Sequence, residues 1–385
     1  MCRRVFILGS TGSIGTSAIE VVCHLNKVKQ NSYNVVGLAA NTSKDLLLQQ
    51  AALLEAHAVS LASGDIDYKN VSNSAESLLS DFAQEGDLVI AAMVGFEGIS
   101  PVLKAIEIGC DIALANKECL VAAGELIMNH LKNSSSNMIP IDSEHSAIYQ
   151  GLGKNVNQTI KKVILTASGG SLRNFSDDEI KNASVEQVLN HPTWDMGQKV
   201  TVDSASLMNK GLELIEAKWL FDLNVDQLEA VVHPQSIVHG LVEFVDGSTI
   251  AQLTPPSMLF PIQYALTQPS REEMPLKTVD WSVQQTLDFK PIDSNRYPSI
   301  QLAKDVIALS GTSGAVLNAA NEVAVQAFLE HKIKFYQIFA IVEHVLNNVP
   351  IEQCDSLQTV IAADSLAREH ALLAISKTPT KERAL

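Results

Sequence analysis

No Cys-x-x-Cys pair occurs in this chain, and its five cysteines, Cys2, Cys23, Cys110, Cys119 and Cys354, are odd in number and scattered. That pattern excludes a disulfide framework and a zinc ribbon, and it fits reduced thiols in a cytoplasmic setting. Cys110 and Cys119 are expected to pack as small hydrophobes. Positive charge is also scarce: 28 Lys and Arg stand against 43 Asp and Glu, a net charge of −15. A nucleic-acid partner would need a basic footprint, which is missing. An anionic ligand must therefore meet cations gathered locally, so each Lys or Arg beside a motif gains weight. Long apolar runs are absent too. No stretch reaches the ~18 residues of a membrane helix, so no membrane partner is expected. The opening MCRRVFILGSTGS has an apolar run only from Val5 to Leu8, too short for the core of a secretory signal. There is no internal repeat and no low-complexity tract.

What remains is a chain of 385 residues with an ordinary 46% of hydrophobic residues, enough for two or three domains with sizeable cores. Arg3 to Leu8 reads as a buried strand, followed by a glycine-rich turn and a helix through Leu25. Val35 to Ala39, Asp87 to Met93 and Asp111 to Ala115 are further strands. Ser43 to Ala56, Ser100 to Ile108 and Lys117 to Leu131 are helices between them. This alternation predicts an α/β fold whose N-terminal domain, residues 1–145, is a doubly wound, Rossmann-like parallel sheet. From Lys161 the pattern changes. Strands at Val163 to Ala167, Leu228 to Val232, Ile237 to Val245 and Thr249 to Leu253 predict a central α+β domain over 146–275, with a hairpin turn at Asp246-Gly247. Residues 276–298, rich in Pro, Asp and Ser, read as a linker. Four helical stretches after it predict a C-terminal helical bundle over 299–385.

Gly9-x-x-Gly12-x-x-Gly15 sits between the first strand and the first helix. There a glycine turn lets backbone amides and a helix N-terminus meet a pyrophosphate, so a dinucleotide is expected; the alternative is a tight turn with no ligand. The second strand ends in Ala40-Asn41-Thr42-Ser43-Lys44. The acidic residue that holds the ribose of NAD is absent, and hydroxyls, an amide and Lys44 favour the 2′-phosphate of NADP. Asn116-Lys117-Glu118 lies at another strand end, as a ligand edge or a charged helix start. Thr166-Ala-Ser168-Gly-Gly170 can form an anion nest or simply a turn.

The densest polar stretch is His191 to Glu216. Read at helical spacing from Asp203, Asn209, Lys210 and Glu213 face one way, and Glu216 follows one turn on. An amide, an ammonium and carboxylates there point to an anion and a divalent metal side by side. Upstream, Asp142-Ser143-Glu144-His145 follows the apolar run MIPI, with two carboxylates two residues apart. Together the clusters offer hard oxygen ligands of the kind that suits magnesium or manganese. Each cluster also has a plain reading, as a solvated helix face or as a cap for the helix near Ser146. His191-Pro-Thr-Trp194-Asp-Met196-Gly197 has no clear period and reads as a lid carrying Trp194, or as a packed loop. His233 and His239 are weak candidates taken singly.

These segments, ILGSTGSIG, LANKE, IDSEHSAIYQ, TASGG, HPTWDMGQKVTVDSASLMNKGLELIEA, VVHPQSIVHGLVEF and LNAANEVAVQAF, in this order and spacing, closely resemble the 1-deoxy-D-xylulose 5-phosphate reductoisomerase family. The resemblance runs from Arg4 to the C-terminal helices. It implies an NADPH domain, a catalytic domain with a flexible loop at about 188–198, a linker, a helical bundle and a homodimer. It implies rearrangement of a phosphorylated sugar, by retro-aldol cleavage and re-addition, and then reduction by NADPH. Metal ligation falls to Asp142, Glu144 and Glu213, with Mn²⁺, Mg²⁺ or Co²⁺ as the cation. Substrate contacts fall to Lys117, Ser143, Glu144, Ser168, His191, Trp194, Ser204, Asn209, Lys210, Glu213 and His239, with the phosphate among Ser168, Ser204, Asn209 and Lys210. Lys117, Glu144 and His191 are the implied catalytic residues. Gly9, Thr11, Gly12, Ser13, Ile14, Asn116, Glu118 and Gly197 match NADPH contacts, and Asn41, Thr42 and Ser43 take the place of a basic step common in the family. The chain also lacks the Gly and Asp usual near Leu253 to Met258 and the proline usual before the LNAANE helix. Two other classes fit parts of the pattern: an NADP dehydrogenase acting without rearrangement, and an NADPH-binding sensor, which has no use for three carboxylates.

Overall fold

The computed structural model of the chain describes residues 2–29, 32–153, 159–194 and 196–377. In chain order the first elements are β1 (Arg3–Leu8), α1 (Ser13–Val28), β2 (Tyr33–Ala40), α2 (Lys44–Leu53), β3 (Ala58–Leu61), β4 (Val71–Ser72), α3 (Ala75–Phe82), β5 (Leu88–Ala91), α4 (Ile99–Ile108), β6 (Asp111–Leu114), α5 (Lys117–Lys132), β7 (Met138–Pro140) and α6 (Ser143–Leu152). Then come β8 (Ile160–Ala167), α7 (Asp177–Lys181), α8 (Val185–Leu189), α9 (Gln198–Ala205), α10 (Met208–Phe221), β9 (Leu228–Val232), β10 (Val238–Phe244), β11 (Thr249–Leu253) and α11 (Leu259–Thr267). The chain closes with β12 (Lys290–Pro291), α12 (Ser299–Leu309), α13 (Ser313–Leu329), α14 (Gln337–Asn348) and α15 (Leu357–Lys377). Two compact units result. The first takes the chain up to Cys119, Ile127–Gln150 and Ser257–Thr278, and the second takes Leu120–Leu126, Gly151–Pro256 and Val279–Leu385. Among the described residues no helix is long and apolar enough to cross a membrane.

The first unit is a seven-stranded sheet in the order β4-β3-β2-β1-β5-β6-β7, parallel at every ladder. Its central strands are fully apolar because helices cover both faces: Val5 to Leu8 and Leu88 to Ala91 are buried. The order reverses at β1, with β2 on one side and β5 on the other, so a crevice opens past the carboxyl ends of these strands. The doubly wound expectation holds. The short β3 and β4 and helix α3 have too few residues for a period to show. A capping box at Ser74 starts α3, with Ser74 and Ser77 side chains exchanging bonds with each other's backbone. Helix α11 also belongs to this unit, where Ile262, Ala265 and Leu266 share a core with Ala18, Val22 and Leu25 of α1. Tyr33 Oη donates to Leu266 O at 2.9 Å. That return of residues 257–278 was not expected from the run of local patterns.

The second unit holds a five-stranded mixed sheet in the order β11-β10-β8-β9-β12. β8 runs parallel to β9 and antiparallel to β10, and β10 and β11 form the expected hairpin. Helix α13 is buried nearly all round, from Ser313 to Phe328, which marks it as the centre of the helical part. The stretch expected as a linker contains β12, whose Lys290 and Pro291 pair with Val232 and Val231.

Candidate functional site

Each unit carries its own part of the polar pattern. In the first, the turn after β1 is shaped by Gly9, which has φ +84°, a left-handed conformation that suits glycine. A Cβ there would lie 2.4 Å from Ala92 O, so only hydrogen fits against β5. Gly12 then stands at the N-cap of α1 without a side-chain cap, and no acidic residue follows in the first turn. Gly12 and Ser13 are exposed, and Thr11 and Ile14 are half-buried. The first amides of α1 thus face outward with the positive end of the helix dipole behind them, the arrangement that receives a pyrophosphate.

Asn41, Thr42 and Ser43 are exposed just past β2, the neighbour of β1. Ser63 Oγ donates to Asn41 Oδ1 at 2.9 Å, and Lys44 Nζ donates to Asp65 O at 2.6 Å. Lys44 therefore rests on the same loop edge. At the end of β6, Asn116 caps α5, accepting from Cys119 N at 3.3 Å and donating through Nδ2 to Gly95 O at 2.9 Å. Lys117 and Glu118 follow, both buried. Lys117 Nζ meets Asp142 Oδ2 at 2.5 Å. Asp142 lies one residue before α6, accepting from Ser143 N at 2.9 Å, while Ser143 Oγ donates to Glu144 Oε2 at 2.5 Å. His145 Nδ1 lies 3.9 Å from Asp142 Oδ2. The DSEH cluster is thus a helix start, and Asp142 and Glu144 sit in its positive field.

In the second unit, His191 to Glu216 is not one continuous helical pattern. α9 ends at Ala205, and Leu207 has φ +55°, which breaks the spacing before α10 begins. The reading of Asn209, Lys210 and Glu213 as one face survives because all three lie in α10. Asn209 Nδ2 and Lys210 Nζ both bond to the carboxylate of Glu213, one turn away. Lys210 and Glu213 side chains are 3% and 1% exposed. Glu216, a turn further, is fully buried. Asp203 and Ser204 close α9, Asp203 meeting Lys199 Nζ at 3.0 Å. Gly197, exposed, begins α9, while Asp195 of the expected loop lies outside the described residues.

β8 ends in Ser168-Gly169-Gly170, with both glycines at positive φ. Gly170 packs so closely on α9 that a Cβ would lie 2.5 Å from Ser204 O. Ser168 Oγ accepts from Gly170 N at 3.2 Å and meets His191 Nε2 at 2.9 Å. His191 Nδ1 accepts from Trp194 N at 2.9 Å and Thr193 N at 3.2 Å, so its proton sits on Nε2 and is donated to Ser168. Burial, and then the charge of Arg173, push the His191 pKa below its ordinary value, keeping the ring neutral. With Ser168 Oγ accepting twice, its own hydroxyl hydrogen is left to donate outward. Trp194 lies edge-on to His239, with centroids 6.2 Å apart. His239 Nε2 meets Thr254 Oγ1 at 2.9 Å. His233 is structural. Its Nε2 accepts from the Ile237 and Val238 amides, so Nδ1 donates to Asp288 O at 2.8 Å. Arg173, which donates to Ser168 O at 3.2 Å, was not singled out in the sequence. It follows a glycine turn with no period, and the only available signal was a lone cation in an acidic chain.

Known proteins share this arrangement over nearly the whole chain. The family model for 1-deoxy-D-xylulose 5-phosphate reductoisomerase matches residues 5–124, that of its C-terminal domain matches 138–221, and a further DXP reductoisomerase C-terminal domain matches 253–370. The 1-deoxy-D-xylulose 5-phosphate reductoisomerase of Chlamydia caviae is 43% identical over 378 residues, covering 95% of this chain and 98% of that protein. Its counterpart from Protochlamydia amoebophila is 42% identical over 96% of this chain and 97% of its own length. A crystal structure of DOX-P reductoisomerase in complex with NADPH, fosmidomycin and magnesium superposes with a TM-score of 0.90 at 36% identity, covering 97% of this chain and 98% of that one. The Zymomonas mobilis enzyme in complex with NADPH gives 0.89 at 36% identity, over 98% of this chain and 100% of its own.

Proposed function

This chain belongs to the 1-deoxy-D-xylulose 5-phosphate reductoisomerase family, and on that premise we propose that it converts 1-deoxy-D-xylulose 5-phosphate to 2-C-methyl-D-erythritol 4-phosphate with NADPH and a divalent cation. That is an early step of non-mevalonate isoprenoid biosynthesis. The observation that carries the reading is the anion-ready end of the second unit. There a buried Lys210 is paired with Glu213 beside Asn209, and Ser168 is held by His191 with its hydroxyl hydrogen outward.

In this reading Gly9, Thr11, Gly12, Ser13 and Ile14 receive the NADPH pyrophosphate. Asn41, Thr42 and Ser43 border the 2′-phosphate, and Asn116, Glu118 and Gly197 border the nicotinamide half. The donor set fits a hard cation. Asp142, Glu144 and Glu213 present carboxylate oxygens, two of the three already ion-paired to Lys117 and Lys210. When bound, the cation supplies Lewis-acid stabilisation of charge on the ketone and hydroxyl oxygens of the substrate. Ser168, Ser204, Asn209 and Lys210 bind the phosphate, and that remote binding energy orients the reacting end. The neutral His191 keeps Ser168 in its donor orientation. Lys117 and Glu144 hold and move the protons of the rearrangement, with Ser143 fixing Glu144. Trp194 and Met196, on the loop before α9, cover the sugar and exclude water, with His239 beneath Trp194. The same reading makes the protein a cytoplasmic homodimer; light scattering on the purified enzyme tests the dimer, and cell fractionation tests the location.

The decisive experiment mixes enzyme, NADPH, 1-deoxy-D-xylulose 5-phosphate and Mn²⁺. NADPH absorbance should fall only with all present, and NMR of the product should show the branched methylerythritol skeleton. Oxidation of NADPH that leaves an unbranched product would replace the reading with a dehydrogenase that does not rearrange its substrate. Full turnover after chelation would remove the metal from it.

A further inference from the structure

Asn321 lies in α13, within the run Leu317 to Glu322, to which the proposed function gives no role. Its side chain is fully buried, and Nδ2 donates to Asp203 Oδ1 at 2.9 Å. Asp203 is 1% exposed and immediately precedes Ser204. Its other oxygen meets Lys199 Nζ at 3.0 Å. A carboxylate only accepts, so the amide must turn its nitrogen to Asp203. That leaves Asn321 Oδ1 with no partner among the described residues. Two aliphatic side chains would pack as well without a half-satisfied amide, so cohesion alone does not account for this choice.

Geometry does account for it. α9 has eight residues, and Val202 and Ala205 pack its apolar side while Asp203 is the buried carboxylate that needs a polar partner. Asp203 and Ser204 are about 100° apart around it, so a bond that fixes Asp203 also fixes the direction of Ser204. Gly170 backs the same turn, with no room for a Cβ against Ser204 O. Ser206 Oγ donates to Asp203 O at 3.1 Å, and Ser299 Oγ donates to Ser206 O at 3.2 Å. Beyond it Leu207, at φ +55°, turns the chain into α10, which carries Asn209 and Lys210. The whole junction between the two groups of phosphate donors is braced, and Asn321 is its brace from the helical part of the chain.

We infer that Asn321 is a positioning residue for the phosphate cradle, acting through Asp203 to aim Ser204 at the anion that Asn209 and Lys210 bind. The inference rests on the proposed function. Its test uses the full enzyme with NADPH and Mg²⁺. Asn321→Ala should raise KM for 1-deoxy-D-xylulose 5-phosphate about tenfold, a misplacement effect, with kcat changed less. The Kd for NADPH, and turnover of unphosphorylated 1-deoxyxylulose assayed at high concentration, should stay at wild-type values. The exchange Asp203→Asn with Asn321→Asp restores a donor facing an acceptor and should recover most of the loss. Unchanged KM would overturn the inference. So would equal losses on the phosphorylated and unphosphorylated sugars together with weaker NADPH binding, which is what a purely structural residue gives. If Asn321→Ala does not fold, Asn321→Ser, a shorter donor, is measured in the same ways, and the same results uphold or overturn the inference. If the wild type does not turn over the phosphorylated sugar, the proposed function fails separately. Calorimetric binding of inorganic phosphate to wild type and variant then decides the inference, which falls if the two bind phosphate equally.

Discussion

The turn after β1 offers an anion the start of α1 at the exposed Ser13, with no side-chain cap, whereas the start of α10 offers Lys210, 3% exposed, against Glu213, 1% exposed. Both suit phosphate, by opposite means. Peptide dipoles at a helix end keep their partial charge at the surface and need no counter-charge, so the first turn works in a strongly acidic protein without a partner. A buried ammonium pays a desolvation penalty that only a carboxylate and further hydrogen bonds offset. The first site should therefore tolerate changes of side chain but not an added Cβ. The second should tolerate small backbone adjustments but not the loss of a charge.

The largest effect expected from that contrast is at Lys210. Lys210→Met leaves Glu213 buried without this cation, a loss of about 3 kcal/mol or more. If Lys210 binds the substrate phosphate as proposed, kcat/KM should fall as well, by an amount corresponding to about 2–5 kcal/mol. Denaturant unfolding and kcat/KM measure the two parts, and a variant of wild-type stability with unchanged KM would refute the buried-pair account. Next is Gly9→Ala, which meets Ala92 O at 2.4 Å at a φ that costs about 1–3 kcal/mol for a side chain. NADPH affinity should fall while inorganic phosphate still binds the second unit, and parallel loss of both would show that the two sites are not independent.

A smaller effect concerns His191. Burial lowers its folded pKa, so the folded state holds fewer protons than the unfolded chain below about pH 6.5. The contribution of His191 to stability is thus full above that pH and is lost as pH falls toward the folded pKa, where the protonated Nδ1 can no longer accept from Trp194 N. His191→Asn should flatten this part of the stability profile, and an identical acid slope in both proteins would argue against the assigned tautomer. The smallest effect is at Lys44, on an exposed edge where a single charge is screened. Lys44→Glu should narrow the preference for NADPH over NADH by a few-fold without touching substrate KM. No change in the ratio of coenzyme efficiencies would move the 2′-phosphate contact to Asn41, Thr42 and Ser43 alone.

The two units also differed in how far they could be read before folding. In the first, every long strand was an apolar run ending at a turn or cap, and Gly9, Asn116 and Asp142 each stood at the carboxyl end of one. Parallel strands buried on both faces leave that signature in the local sequence. In the second, Asn209, Lys210 and Glu213 were legible as one face because α10 spaces them three and four apart. The break at Leu207 was not, since nothing in Ser206-Leu207-Met208 demands a positive φ. Arg173 gained its place by folding back over the glycine turn onto Ser168 O, five residues earlier, and the contact of His239 with Thr254 formed only once the hairpin had paired.

Residue type and local period determined which atoms this protein can offer: hydrogen-only turns at Gly9 and Gly170, hard oxygens at Asp142, Glu144 and Glu213, and ammonium groups at Lys117 and Lys210. Those are properties of side chains and of one or two turns of helix, and they survive in any reading of the chain. Tertiary structure alone decided how the atoms are held. It returned α11 to the core of the first unit, set the His191 proton on Nε2, and bound Asp203 to an asparagine 118 residues away. Such choices depend on which groups are left buried and unsatisfied once the chain is packed, and no window of sequence contains that sum.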